Sequence, residues 1–470
     1  MSSLLIVSDV SGNRLRRSPL AKSLTKQTDE AWTFDPETRP IRATVMVDHT
    51  SQLRPGAVAA IRAAMADNLR IDALIGDAII SGRRSLRPGW SPSRVANDPS
   101  GLDLLVTRAS HTSGSLADRI DALRTANQDA VGHLPAALLE RSGPVPVDLA
   151  AINAIDEFSS SRLHGDTITS VSFVVAATDA TNMNGRPWIE GAVAAARAGG
   201  ITEHELIAVV SDDRDASTFE DMGVTVITTE GDSHQSRALN QGLLAARHEA
   251  VVILDERCEL SEPGWLLAMT HHLQDPHVGA VGAAVLFADQ TVHHLGLVID
   301  DALPLRSYVG HRLEDLPAAA THTREVIAVS KRCLVARRDD LLAVGGFNET
   351  LSSDLFHVDA CLKLQRAGKR ILVEPAAQLV LNLDPSHNPE IDPGEWASFL
   401  TRWGQIDDPW YHPGHFRPDD PANRRQNADY LPPADPLAEW PMRTTAIRPS
   451  VYRPRHPYPA LTHPSRYTLA

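Results

Sequence analysis

Apolar runs that end abruptly in a carboxylate mark two places in the chain. In one of them, residues 251–254 are all aliphatic, and Asp255, Glu256 and Glu259 follow closely. Four aliphatic residues bounded by charge are typical of a buried strand in a parallel sheet, and open α/β sheets bind ligands at the carboxyl ends of such strands. A strand that runs out into a solvated acidic turn would give the same pattern, so this stretch alone leaves both interpretations open.

The other place lies near the amino terminus and repeats this pattern. Residues 45–48 and 53–56 read Val-Met-Val-Asp and Leu-Arg-Pro-Gly, whereas residues 252–255 and 260–264 read Val-Ile-Leu-Asp and Leu-Ser-Glu-Pro-Gly. A repeat of such long period predicts two copies of one type of domain. Pro and Gly are also common wherever a strand turns into a helix, which is the alternative explanation.

Segments with strand character alternate with segments with helix character in the second half of the chain. We predict strands at 171–175, 205–210, 224–227 and 251–254, and helices that end near 198 or cover 236–246 and 356–367. Such alternation predicts a doubly wound α/β sheet with parallel pairing.

The division into domains follows from changes in composition. Two short strands between residues 71 and 108 bracket a Pro-rich loop, and residues 115–141 look helical, with an end near Pro135. Residues 142–169 contain two prolines and a serine cluster, which is typical of a linker. We therefore predict an amino-terminal domain, a linker, a main domain and an extension, at residues 1–141, 142–169, 170–415 and 416–470.

The overall composition is that of a globular protein. The chain has 470 residues, of which 43% are hydrophobic and 22% are charged, with room for two or three domains. Its formal net charge of -14 argues against a general nucleic-acid binder, because neutralising phosphates needs an excess of Lys and Arg. Three scattered cysteines favour a cytoplasmic location, and no window approaches the roughly 18 apolar residues of a membrane span.

The carboxyl-terminal extension differs from the rest of the chain. Nine prolines lie between residue 432 and the end, and five arginines follow residue 436 with a single glutamate. This composition predicts an extended arm of polyproline character, which would pack on another subunit or on a protein partner. A disordered tail is the alternative.

A series of motifs in fixed order carries a resemblance to a known family. These motifs are Val171-Ser-Phe-Val-Val, Val210-Ser-Asp-Asp-Arg, Asn240-Gln-Gly, Leu254-Asp-Glu-Arg, Val292-His-His-Leu-Gly, Val344-Gly-Gly-Phe, His357-Val-Asp and Arg402-Trp-Gly. Through them, residues 171 to about 415 resemble the family 2 glycosyltransferases, especially the subgroup with rhamnosyltransferase-like domains in tandem. The resemblance implies a GT-A fold, which is a Rossmann-like, mostly parallel α/β sheet flanked by helices. Residues 44–141 look similar to the second half of such a domain, so the amino-terminal domain would be truncated.

The resemblance also implies an activity and places its residues. The family transfers a sugar with inversion from a nucleotide-sugar donor, here UDP- or dTDP-linked, to a glycan or protein acceptor. The donor would contact Ala177, Asp179, Asp212, Asn240, Asp255 and Arg257. The acceptor side would include His294, His311, Gly346 and Phe347.

The same comparison identifies departures around the cation and the catalytic base. The family binds Mn²⁺ or Mg²⁺ through Asp-x-Asp, but the position of the second aspartate is held here by Arg257, which leaves Asp255, Glu256 and Glu259 as weak metal candidates. Arg257 could neutralise a diphosphate directly or pair with a nearby glutamate. A histidine expected near residues 381 and 382 is missing.

The position of the catalytic base also departs from the family, because it is occupied by His357, with Asp359 as the other candidate. Two hypotheses follow. The protein is an inverting glycosyltransferase with weak or altered metal dependence, or it is a catalytically inactive relative that serves as a binding or scaffold subunit.

Overall fold

A computed structural model describes most of the chain as two compact units. The described residues are 3–27, 31–36, 41–85, 89–95, 99–111, 113–127, 130–143, 145–177, 186–211, 219, 222–229, 234–260, 263–300, 303–316, 318–352, 355–382, 392–404, 406, 408–410 and 443–444. One unit comprises Met1–Arg162 with Pro409–Ala446, and the other comprises Leu163–Asp408 with Ile447–Ala470. No helix among the described residues is long and apolar enough to cross a membrane.

The first unit is built on a mixed sheet. Its strands are β1 (Ser3–Val7), β2 (Trp32–Thr33), β3 (Ile41–Val47), β4 (Gln52–Leu53), β5 (Ala73–Ile80), β6 (Arg83–Ser85), β7 (Leu104–Thr107), β8 (Val131–Arg141) and β21 (Arg443–Thr444). They lie in the order β2-β1-β3-β7-β5-β8-β21, with β4 on β8 and β6 on β5. Its helices are α1 (Gly12–Arg16), α2 (Pro19–Leu24), α3 (Ala57–Asp67), α4 (Pro92–Val95), α5 (Leu116–Thr125) and α6 (Leu149–Ser160).

The second unit is built on a larger sheet. Its strands are β9 (Ser170–Ala177), β10 (Glu203–Ser211), β11 (Thr225–Thr229), β12 (Ala250–Leu254), β13 (Cys258–Glu259), β14 (Val278–Phe287), β15 (Val292–Leu295), β16 (Leu297–Asp300), β17 (Leu303–Arg306), β18 (Arg324–Glu325), β19 (Cys333–Arg337) and β20 (Arg370–Leu381). The sheet has the order β11-β10-β9-β12-β19-β14-β20-β13, with β15 on β14 and β18 on β20. Its helices are α7 (Arg186–Ala198), α8 (Gln235–Ala245), α9 (Trp265–His271), α10 (Ala318–Thr321), α11 (Arg338–Ala343), α12 (Phe356–Arg366) and α13 (Pro393–Trp403).

The predicted alternation of strands and helices is confirmed in the second unit. Strands β11, β10, β9 and β12 are all parallel, and β12 is buried along its whole length. Helix α8 packs closely on this part of the sheet because its Gly242 carries no side chain, and a Cβ there would overlap the Cγ1 atom of Val174. The fold class is therefore the predicted one, a GT-A type α/β sheet flanked by helices.

The two units repeat the same strand pairings. In the first unit β3 lies antiparallel to β7, β7 antiparallel to β5, and β5 parallel to β8, while β4 and β6 lie antiparallel on β8 and β5. The second unit has the same pairings. There β12 lies antiparallel to β19, β19 antiparallel to β14, and β14 parallel to β20, while β13 and β15 lie antiparallel on β20 and β14. The repeat seen in the sequence at Asp48 and Asp255 therefore extends to the topology.

Residues 131–141 do not form the predicted helix. They form β8, which pairs in parallel with β5, and the register shifts where Gly76 faces Leu134 and Asp77 faces Ala137. Pro135 lies inside this shift, where a residue without an N–H group is tolerated in a strand. The Ala- and Leu-rich composition indicated a helix, but pairing with β5 outweighed it.

The predicted linker contains an ordered helix. Asp148 caps α6 by accepting a hydrogen bond from the backbone N–H of Ala151, and Ala151, Ala154 and Phe158 are buried in the core of the first unit. Prolines before the helix gave the segment its linker-like composition. Of the carboxyl-terminal extension, the structure describes β21, which pairs with β8 of the same chain.

Candidate functional site

The carboxyl ends of three parallel strands define one edge of the second sheet. Strand β9 ends at Ala177, β10 ends at Ser211, and Asp255 follows directly after β12. This edge is where open α/β sheets bind ligands. Two predicted donor residues of this edge, Asp179 and Asp212, lie outside the described residues.

Asp255 is held between two arginines. Arg257 donates from Nε and Nη2 to the two carboxylate oxygens, at 2.8 Å each, and from its backbone N–H at 3.0 Å. Arg332 forms an ion pair with the same carboxylate, at the oxygen that also accepts from Nη2 of Arg257. The sequence had suggested a glutamate or a diphosphate as the partner of Arg257, but its guanidinium lies on Asp255.

The pair of arginines determines the charge of this position. Burial alone would raise the pKa of Asp255, but the charge of Arg332 and the hydrogen bonds from Arg257 outweigh burial and hold that pKa well below its ordinary value. The carboxylate is therefore charged at neutral pH, and the three side chains together carry a surplus of one positive charge. The guanidinium of Arg257 reaches solvent, since its side chain is 24% exposed.

The three predicted metal ligands do not assemble into a metal site. The oxygens of Asp255 contact guanidinium groups, and Glu259 accepts a hydrogen bond at 2.6 Å from Nδ2 of Asn382. Glu256 is buried. Among the described residues, no group of three His, Cys, Asp or Glu side chains could hold an ion. The donor set therefore does not fit a divalent cation.

Asn240, predicted to contact the donor, instead fixes a turn. Its amide nitrogen donates to the carbonyl oxygen of Phe347 at 2.8 Å and to Glu349 at 2.9 Å, and its amide oxygen accepts from the N–H of Phe347 at 2.8 Å. The turn needs this support because Gly345 and Gly346 both have positive φ angles, of 83° and 60°. Gly346 and Phe347, which were predicted on the acceptor side, belong to this turn, and Phe347 is fully buried.

Asp359 is the centre of a buried polar network. One oxygen accepts a hydrogen bond from Nε1 of Trp403 at 2.9 Å and lies 3.2 Å from Arg402, and the other lies 3.1 Å from Nζ of Lys363. Lys363 in turn donates to the carbonyl oxygen of Gly346 at 2.5 Å. The network joins α12, α13 and the glycine turn. Both carboxylate oxygens of Asp359 lie within ion-pair distance of a cation, and Oδ2 has this ion pair with Lys363 but no hydrogen bond to any described residue.

Four histidines belong to the predicted base and acceptor side or lie next to them. His357 is the second residue of α12 and packs edge-on against Phe356. His293 and His294 are both buried, and their Nδ1 atoms are 2.6 Å apart. Burial lowers the pKa of His294 well below its ordinary value, and the positive charges of Arg332 and Arg306 add to this effect. His311 is half-buried, and its carbonyl oxygen accepts from the N–H of Val292.

Comparison with known proteins decides the family. The family described as "Glycosyltransferase like family 2" matches residues 170–404, which is half of the 470-residue chain. The chain belongs to this family. The matched residues coincide with the second unit and include Asp255, Arg332, His357 and Asp359, so the family assignment and the site geometry refer to the same part of the molecule.

Several known proteins are similar to parts of this chain. Protein y4gI of Sinorhizobium fredii is 31% identical over 232 residues, and the O-antigen biosynthesis protein RfbC of Myxococcus xanthus is 28% identical over 181 residues. The alignments cover 44% and 36% of this chain but 25% and 14% of the relatives, so the chain spans at most about a quarter of their length. The solved structure of GalNAc-T7 with UDP, GalNAc and Mn²⁺ is 12% identical, with a TM-score of 0.39 over 50% of this chain and 49% of that chain.

The sequence did not indicate three residues that contact the predicted site. Arg332 is opposite Asp255 because Cys333 of β19 faces Leu254 of β12, so the pairing of distant strands had to be known. The i,i+4 spacing of Asp359 and Lys363 on a predicted helix was a local signal that could have revealed their contact. Arg306, whose Nη1 atom lies 2.9 Å from Nε2 of His293, gave no signal in the sequence.

Proposed function

We propose that the second unit transfers a sugar, with inversion, from a UDP- or dTDP-linked donor to a glycan or protein acceptor, and that arginines rather than a metal ion neutralise the departing diphosphate. The observation that carries the proposal is the contact of Arg257 and Arg332 with the one carboxylate of Asp255. Because this cluster has a surplus positive charge at the ligand-binding edge of the sheet, it favours an anion over a cation.

The chemistry requires this charge at one moment of the reaction. The acceptor hydroxyl oxygen attacks the anomeric carbon from the face opposite the leaving group, and the bond from that carbon to the phosphate oxygen breaks. The bonding electron pair leaves with the nucleoside diphosphate, whose negative charge increases. A guanidinium group binds phosphate oxygens through two parallel N–H donors and stays protonated, so Arg257 can stabilise this charge without a cation.

The acceptor hydroxyl must also lose its proton. We assign this role to His357, because a neutral imidazole accepts a proton near neutral pH and both oxygens of Asp359 are engaged by Lys363, Arg402 and Trp403. Asp359 then acts by positioning α12, on which His357 lies. The hydroxyl proton passes to the ring and later to solvent.

The second candidate function is that of an inactive relative. The ion pairs of Asp255 with two arginines favour this function, because a protein without catalysis does not need a carboxylate that is free to bind a metal ion. Such a protein would bind a sugar chain or a protein partner through the same fold.

Nucleotide binding without metal separates the two functions. Calorimetric titration with UDP, GDP and dTDP, in EDTA and again in Mn²⁺, should show binding that EDTA does not abolish. Arg257→Ala should weaken that binding at least tenfold, about 1.4 kcal/mol, because one charge-assisted phosphate contact is lost. The control is Arg247→Ala, which removes an arginine that is 76% exposed and precedes the opposite end of β12. Absence of binding in both buffers would refute the enzyme proposal.

We also propose that the first unit is a copy of the second that has a structural role. Its Asp48 corresponds to Asp255 in the strand order, and that carboxylate is buried and paired with Arg141 at 2.8 Å. Donor binding should therefore saturate at one equivalent per chain. Two equivalents, or loss of binding in Arg141→Ala with retained folding, would contradict this assignment.

A further inference from the structure

Arg306, His293 and His294 form a chain of ring and guanidinium contacts in the second unit. An Nη1 atom of Arg306 lies 2.9 Å from Nε2 of His293, and Nδ1 of His293 lies 2.6 Å from Nδ1 of His294. The two rings are tilted at 69° with centroids 4.9 Å apart, and Phe287 packs edge-on against His293. This arrangement holds both imidazoles in place.

The donor properties of arginine fix the protons along this chain. A guanidinium group has only donors, so Nε2 of His293 must accept and carry no proton. The ring proton of neutral His293 is then on Nδ1, which donates it to Nδ1 of His294. That atom must accept in turn, so the proton of His294 is on Nε2.

The remaining nitrogen of His294 is placed to meet a ligand. His294 is 2% exposed, and within the described part of the chain the contact with His293 is the one hydrogen bond of its ring. An N–H group that has no acceptor within the protein can donate to a ligand oxygen. The charge of Arg332 acts on His294, so the ring lies within electrostatic range of the Asp255 cluster.

We propose that Arg306, acting through His293, locks His294 in the Nε2–H tautomer, so that His294 is a hydrogen-bond donor to a substrate oxygen and not a base. The inference rests on the proposed function for the identity of the substrate. The oxygen belongs either to the diphosphate of the donor or to a hydroxyl group of the acceptor sugar, and both present the same lone pair.

The lock has a consequence for proton transfer. If Nε2 of His294 gave up its proton, His293 could replace it only by losing its own, and Arg306 cannot supply another because it does not deprotonate in proteins. The chain therefore conducts no proton. It holds one donor in place, which leaves the removal of the hydroxyl proton to a different group, consistent with His357 as the base.

Nuclear magnetic resonance on the full chain tests the lock without any ligand. With ¹⁵N-labelled histidine, and with His294→Gln to assign the signals, His294 should show a protonated Nε2 and an unprotonated Nδ1. Arg306→Met should release the lock and give a mixture of tautomers, whereas Arg306→Lys should keep it because an ammonium group also only donates. Arg312→Met, which removes an exposed arginine, is the control and should change nothing. A protonated Nδ1 on wild-type His294, or an unchanged tautomer in Arg306→Met, would overturn the lock.

Ligand titrations distinguish the source of the oxygen. A downfield shift of the Nε2 proton with UDP, GDP or dTDP alone assigns the diphosphate, and a shift only after millimolar rhamnose is added assigns the acceptor hydroxyl. No shift with either one would overturn the substrate contact.

His294→Phe should raise the corresponding Kd or KM by about five- to tenfold, and His294→Gln, whose amide N–H occupies a similar place, by about threefold or less. Failure of all nucleotides to bind would refute the proposed function, whereas the tautomer measurement would still decide the lock.

Discussion

Asp255 and Arg332 hold each other at two points. The side chains form an ion pair, and the backbone N–H of Asp255 donates to the carbonyl oxygen of Arg332 at 3.0 Å. The double contact joins the ends of β12 and β19 at the edge where the donor is proposed to bind. It makes this arginine part of the rigid sheet, so the charge at the site does not depend on a flexible side chain.

Stability should fall in acid through the ionisation of Asp255. Because its pKa is lowered on folding, Asp255 contributes stability above the unfolded carboxyl pKa of about 3.9, and this contribution is lost as the pH falls toward the folded pKa. Asp255→Asn should cost roughly 3–5 kcal/mol at pH 7, since it leaves buried guanidinium groups without their counter-charge. Urea unfolding of both proteins should show a gap that narrows as the pH falls from about 5 to 2.

The matched control is Asp166→Asn, which changes an exposed aspartate of the same unit. Its unfolding free energy should follow that of the wild type at every pH. Parallel curves for wild type and Asp255→Asn across the acid range would contradict the ion-pair interpretation.

The folded protein should be destabilised less by removal of the Asn240 amide than by its replacement with a carboxylate. Asn240→Ala removes the hydrogen bonds to the Phe347 backbone and should cost about 1–3 kcal/mol. Asn240→Asp places a negative charge against the Phe347 carbonyl oxygen and the Glu349 carboxylate, so it should cost more at pH 7. Denaturant unfolding at pH 7 and pH 4 measures both, and the excess cost of Asp should shrink at the lower pH. Equal costs at pH 7 would show that the amide nitrogen is not needed as a donor.

Local patterns predicted the elements that carry the site, but not the contacts between them. The aliphatic run of β12, the apolar spacing of α8 and α12, and the glycines before Phe347 each depend on neighbours in the sequence, and the structure places all of them as predicted. The contact of Arg332 with Asp255 joins residues 77 positions apart, and nothing local to either one indicates it. Asn240 was assigned to the donor through the resemblance to the family, and its hydrogen-bond partner in the structure is a turn 107 positions later.

Composition was misleading where tertiary pairing outweighed it. Residues 131–141 are rich in Ala and Leu, which favour helices, but they form a strand because β5 supplies hydrogen bonds along most of their length. The segment around α6 looked like a linker because prolines precede it, but its buried face packs on the first unit. In both cases the deciding partner is distant in the sequence.

Lys363 and Asp359 should be coupled in a double-mutant cycle. Both side chains are fully buried, and Lys363→Met removes the ammonium group from Asp359 and from the Gly346 carbonyl oxygen. The single change should cost roughly 3–5 kcal/mol, because it leaves a buried charge short of its partner. Asp359→Asn with Lys363→Met should cost less than the sum of the two single changes, by about 1–3 kcal/mol. Additive costs in urea unfolding would show that Arg402 and Trp403 satisfy Asp359 without the lysine.

Gly242 should be intolerant of the smallest side chain. A methyl group there would overlap Cγ1 of Val174 on β9 and lie 3.3 Å from Cγ2 of Val209 on β10, so α8 would have to move away from the sheet. Gly242→Ala should cost about 1–3 kcal/mol in denaturant unfolding, although alanine favours a helix by itself. Gly264→Ala is the control, since its Cβ would meet nothing within 4 Å and its φ of -71° suits any residue, and its cost should stay within about 0.5 kcal/mol. Because α8 also carries Asn240, Gly242→Ala should also disturb the glycine turn that Asn240 fixes. A variant as stable as the wild type would mean that the close packing of α8 on the sheet is not required.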